Sequence, residues 1–402
     1  MNATGQKWCR LALFNFFLVS AAGVLLRLKI LISIPWLNFK FMLHAHSHFA
    51  FAGWVSLFLM AALVGKLPDN LAPKYDRLLL FNFLSAYGMF CSFPFQGYGP
   101  VSICFSTISV FLGWWFAVLY WKDSMIGEIS PMIRLATKWS LVFLVISAVG
   151  TFFLAWLMAN KVNHPDLYFG SVYFYLHFQY NGWFFFAIIA LFLHLMPLEM
   201  HQELQKPLLY LALATIPAFF LSALWMQLPG WMYATACIAA AVQMIAFLRI
   251  AIHVYPVTRS AIGSSAVKAI WMLSLTALTI KFTLQALSVI PALSPYAFAY
   301  RPVVIGYLHL VLLGFVSLFA IGWLMQHNNF PLRKDQLPVS VVLFIAGILL
   351  TELTLMAQGI TAMFYVSIPR TNEFLLGAAI CLFVSIGWMN LKVKASGSTG
   401  TL

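Results

Sequence analysis

Apolar residues come in runs of about twenty, twelve times over, separated by short polar breaks. An α-helix needs about 20 apolar residues to cross the hydrocarbon core of a bilayer, so each run is long enough to span. The runs cover approximately 10–32, 42–64, 78–96, 101–121, 139–159, 171–197, 207–226, 230–252, 267–290, 302–326, 338–360 and 372–391. They predict an all-α polytopic membrane protein with twelve transmembrane helices, a single integral membrane domain over 1–402. Lys7 and Arg10 ahead of the first run, with Ser20-Ala21-Ala22 inside it, have the look of a signal peptide. The stretch instead continues through Arg27 and Lys29 without a polar cleavage region, which favours a helix.

Composition narrows the class further. The chain is 63% hydrophobic and 8% charged, against about 25% charged for soluble domains. That excludes both an ordinary soluble globule and a disordered chain. A net charge of +13 suggests nucleic acid only until the positive residues are placed. They sit mainly at the ends of the apolar runs, where they report topology, so no nucleic-acid partner is expected. With the N-terminus inside, sixteen Lys and Arg, Arg333 and Lys334 among them, fall in inner segments and six in outer ones. This predicts N- and C-termini in the cytoplasm of a bacterial inner membrane. Cys9, Cys91, Cys104, Cys237 and Cys381 form no CxxC pair, so neither a disulfide framework nor a thiolate metal site is indicated.

One pattern occurs three times. His48 is followed by Gly53-Trp54, His177 by Gly182-Trp183 and His309 by Gly314-Phe315, at identical spacing. Random composition gives roughly 0.1 such coincidences for ten histidines. The intervals are 129 and 132 residues, and each holds four predicted helices. The chain therefore reads as three pseudo-symmetric four-helix units, approximately 1–130, 131–260 and 261–402. Four is even, so all three histidines enter from one side, the outer one on the charge count. Each lies about seven residues into its run, roughly 10 Å deep.

Ionisable side chains inside spans point to function by default. A lone histidine there is more often a structural hydrogen-bonder, but three at matched positions, with His44 and His46 nearby, suggest haem or metal ligation. His44 and His48 share a helical face, whereas His46 is turned by about 200° from His44, so one helix cannot send all three to one metal.

These segments resemble the catalytic subunit I of haem–copper oxidases and the related nitric oxide reductases. His46-Ser-His-Phe-Ala-Phe-Ala-Gly53-Trp54 is similar to the family's second-helix segment, and His309 to the tenth-helix ligand of the low-spin haem. The internal repeat matches His48 to His309, but the family segment picks His46. His46 is favoured because the family distinguishes these helices by ligand offset. The resemblance implies a bis-histidine haem b between His46 and His309, with Arg370 against its propionates. It makes His177 a candidate ligand of a second metal, copper or iron. Gly97-Tyr98-Gly99-Pro100 loosely matches an aromatic-proline loop of the family.

The departures are equally informative. Tyr307 stands where the family has the ligand of its reactive haem, and Pro207–Met226 contains no histidine to complete a second metal site. His194 and His201 lie at the wrong end. The chain thus reads as a divergent member with an incomplete binuclear centre, whose status as an oxygen- or nitric-oxide-reducing enzyme the sequence leaves open. Its expected role is respiratory electron transfer or redox sensing. An electron donor, cytochrome c or quinol, or other oxidase subunits would be separate partners. The alternatives are a non-redox transporter on this scaffold, which pairing of mid-span Lys281 with Glu352 would favour, and a haem or copper handling factor for oxidase assembly.

Overall fold

The computed structural model describes residues 1–126, 129–198, 201–260, 264–294, 298, 300–327 and 337–396. Arg333 and Lys334 of the charge count lie outside them. Among the described residues all regular structure is helical. The long helices begin with α1 (Ala3–Leu31), α2 (Phe39–Val64), α3 (Ala72–Gln96), α4 (Pro100–Asp123), α5 (Pro131–Ala159) and α6 (Pro165–Leu193). Then come α7 (His201–Thr215, continued by Pro217–Ala223), α8 (Gly230–Pro256), α9 (Ser265–Leu287), α10 (Arg301–Gln326), α11 (Val339–Met363) and α12 (Thr371–Val393). Lengths and apolarity suit a polytopic membrane protein, with eleven unbroken spans and a twelfth if the two pieces of α7 count as one.

The break in α7 corrects the continuous span expected over 207–226. The two pieces meet at 49°. Pro217 has no N–H to continue the ladder, and its ring crowds the preceding turn. The backbone answers with tighter-wound i→i−3 bonds, from Ile216 N–H to Leu213 O and from Phe219 N–H to Ile216 O, both 3.3 Å.

The chain divides into two compact units, one of residues 1–116, 263–270 and 317–402, the other of 117–262 and 271–316. In the first, a Cβ on Gly5 would stand 2.5 Å from the Cα of Gly65, so α1 and α2 meet almost backbone to backbone, as small residues permit between membrane helices. Asn2 ties that end, accepting from Gly5 N–H at 2.8 Å and donating to the carbonyls of Val64 and Leu67 at 2.7 and 3.1 Å. Further along, Phe16 stacks on Trp54 at 4.5 Å. In the second unit, Phe143 of α5 packs against Phe178 and Phe186 of α6.

The three helices of the repeat are set apart by burial. The most apolar stretch of α2 is 78% buried, that of α6 89% and that of α10 61%, against 28–44% in the other eight unbroken spans. They also share a local distortion. Immediately after His48, His177 and His309 the backbone widens into π-helix, over Phe49–Ser56, Phe178–Phe184 and Leu310–Ser317. Such segments loosen the usual ladder and recur at functional sites. Neighbouring helices supply polar support: Asn15 donates to Gly53 O at 2.7 Å, and Ser274 to Phe315 O at 2.8 Å.

Candidate functional site

Asn38 caps α2 by accepting from Phe41 N–H at 3.1 Å, and the first ten residues, Phe39–His48, are regular α-helix. That regularity sends the three histidines two ways. His46 faces α1, where its Nδ1 lies 3.0 Å from Val19 O. A carbonyl only accepts, so Nδ1 carries the hydrogen and Nε2 of the neutral ring keeps its lone pair. Nε2 has no hydrogen-bond partner among the described residues. Histidines that ligate a metal characteristically hold their other nitrogen in this way. Gly23, one turn beyond Val19, leaves room beside the ring: a Cβ there would be 3.5 Å from His46 Cε1.

His44 and His48 face the end of α3. His48 Nε2 is 3.0 Å from the Tyr98 hydroxyl, and its ring stacks on Phe93 at 4.5 Å. His44 meets the Tyr98 ring edge-on at 4.6 Å.

His177 has a different setting. It is 1% exposed, and both nitrogens are engaged: Nε2–H donates to Thr215 O at 2.8 Å, and Nδ1 accepts from Asn181 Nδ2 at 3.0 Å. The break in α7 explains the first bond. Thr215 O would ordinarily receive Phe219 N–H, but that group bonds Ile216 instead, so the carbonyl is left for the imidazole. A metal at His177 would have to displace one of these partners. The buried network extends from Thr215 Oγ1 to Gln243 at 3.1 Å, and from Gln243 to Gln285. The Tyr180 hydroxyl hydrogen-bonds with Tyr307 and with Ser222.

His309 ends an α-helical stretch, Arg301–His309, in which no residue is buried. Arg370, between α11 and α12, is exposed and takes up φ +60°, the left-handed region that costs an ordinary side chain about 1–2 kcal/mol. Lys281 is 4% exposed, and Glu352 has a buried carboxyl oxygen without a hydrogen-bond partner. Neither forms an ion pair among the described residues. The groove at the break in α7, lined by Leu213, Pro217, Ile238 and Ala239 among others, is apolar and contains none of the predicted site residues.

Comparison with protein-family models and with characterised proteins returned no match. Two partners lay beyond sequence reasoning, the carbonyls of Val19 and Thr215, which have no sequence signature; Tyr98 lies in a loop the sequence singled out, but its contact with His48 did not follow from it. Asn181, one helical turn after His177, carried a usable signal, because only this copy of the repeat has a side-chain amide there.

Proposed function

We propose that this chain is a haem-binding integral membrane protein, a divergent relative of haem–copper oxidase subunit I that serves electron transfer or redox sensing. By the sequence resemblance, His46 and His309 are its expected ligands for one low-spin haem b. The observation that carries this reading is the bond from His46 Nδ1–H to Val19, which fixes the ring and leaves Nε2 its lone pair. When bound, the haem supplies a one-electron Fe(III)/Fe(II) couple. Val19 orients the ligand ring, Gly23 lies beside it, and Arg370 offers an exposed guanidinium suited to a propionate.

His309 enters the reading through the shared motif and the π-helical segment that follows it, as one follows His48 and His177. The same recurrence supports three pseudo-symmetric four-helix units. The charge asymmetry supports cytoplasmic termini in a bacterial inner membrane, with cytochrome c, a quinol or other oxidase subunits as redox partners. Reduction of oxygen or nitric oxide is left out of the proposal. That chemistry needs an open metal position, and both nitrogens of His177 are already bonded.

A reduced-minus-oxidised spectrum of protein purified from haem-replete cells tests the reading. A b-type band that His46→Ala and His309→Ala each abolish is expected, and its absence from the wild type overturns the proposal.

A further inference from the structure

On the face of α2 turned away from His46, three potential ligands converge. His44 and His48 are one turn apart, and both rings pack against Phe93 and Tyr98. His44 Nε2 is buried without a hydrogen-bond partner, so a buried polar atom stays unsatisfied unless something engages it. His48 Nε2 and the Tyr98 oxygen are 3.0 Å apart. Two atoms that each bind one metal at about 2.0–2.1 Å, at angles of ~90–109°, stand about 2.9–3.4 Å apart.

The loop that brings Tyr98 here is built for the purpose. Gly97 has φ +56°, and a Cβ on it would fall 2.4 Å from the ring of Phe41. A Cβ on Gly99 would fall 2.3 Å from the side chain of Gln96. Ser102 then staples the loop, its hydroxyl donating to Gly97 O and, at 2.9 Å, to Gly99 O. Two glycines and a serine thus fix the one residue between them against the histidine pair.

We infer that His44, His48 and Tyr98 form a site for a divalent first-row transition ion, copper(II) above the others, separate from the haem ligand on the opposite face. Two imidazoles and a phenol oxygen make a borderline N,N,O donor set, for which affinity rises to copper(II) and falls again at zinc. On binding, Tyr98 loses its proton to water and ligates as phenolate. That negative charge offsets Lys40, one turn before His44 on the same helix. The ion needs no change of oxidation state and leaves a coordination position open to solvent or a small ligand. The site assigns His48 a role that does not compete with His46.

The full-length protein, stripped with chelator and desalted, is titrated with copper(II) and separately with zinc(II). One copper per chain is expected, with nitrogen couplings in its electron paramagnetic resonance and a phenolate-to-copper absorption band. Tyr98→Phe should remove that band, and His44→Ala should weaken binding at least tenfold. Both should keep the b-type haem spectrum and an unchanged circular dichroism spectrum, which separates loss of the site from misfolding. Copper binding that is substoichiometric, or equal in wild type and a His44→Ala/His48→Ala variant, overturns the inference. Copper without haem would sink the haem reading alone, and haem without copper would sink this one alone.

Discussion

His46 donates through Nδ1 to the carbonyl oxygen of Val19, 3.0 Å away on the preceding helix, so α1 selects which nitrogen of the ring keeps its lone pair. The acceptor belongs to the backbone and cannot be mutated, but the space beside it can. In Gly23→Leu the added side chain grows from a Cβ only 3.5 Å from His46 Cε1. The variant should shift the b-type band and lower haem occupancy severalfold. His48→Ala, which alters the other face, should leave that band intact.

Asn181 and Thr215 complete the hydrogen bonding of His177. Asn181→Leu leaves a buried imidazole nitrogen unpaired, at a cost of about 1–3 kcal/mol. The expected outcome is a lower thermal midpoint in detergent with the haem spectrum retained. Loss of the spectrum at unchanged stability would instead make His177 part of the cofactor site.

Gly150 is where α5 touches α6: a Cβ there would stand 2.5 Å from Ser171 O and 2.9 Å from Tyr175 N. Both are backbone atoms, so neither can swing aside. Gly150→Val should force the helices apart and destabilise by about 1–3 kcal/mol, measured as reduced yield and a lower unfolding midpoint.

His327, just past the end of α10, gives a pH dependence. Its Nδ1–H donates to Trp323 O at 2.9 Å, and Nε2 lies 3.4 Å from the Lys66 ammonium. Burial lowers its pKa to about 4, opposed by the Trp323 bond and reinforced by Lys66 and the Met1 amino group. The unfolded chain, with a histidine near 6.5, takes up a proton first as pH falls. Stability is therefore full above about 6.5 and declines as pH drops through about 4. His327→Gln should flatten that acid limb in thermal melts between pH 7 and 4. An unchanged slope would show that other groups set it.

The apolar runs were legible because a bilayer demands a length and a hydropathy that few other environments do, and helix existence followed from them. Ends were less legible. Pro131 and Pro165 open their helices at N1, the place where a proline's missing N–H does no harm, so α5 and α6 start ahead of the apolar runs at 139 and 171. The repeat histidines lie nine, twelve and eight residues after their helix starts, at His48, His177 and His309, rather than seven, and for His177 the early start at Pro165 is the reason. The break at Pro217 was written in the sequence but hidden inside an unbroken apolar stretch. The directions of His46 and of His44 with His48 followed from helical spacing alone. What each would meet did not, because a carbonyl on another helix is set by packing.

The π-helical segments have a consequence for how this chain can change. An α-helix turns by about 100° per residue, so a single residue gained or lost within Phe49–Ser56 would swing everything upstream through that angle and leave the buried downstream half in place. Two codons lost there would put His44, and two gained would put His48, in the place from which His46 now faces α1. Three such segments make three places where a histidine-bearing half-helix can be re-aimed without rebuilding the core, an evolutionary freedom that a straight helix lacks.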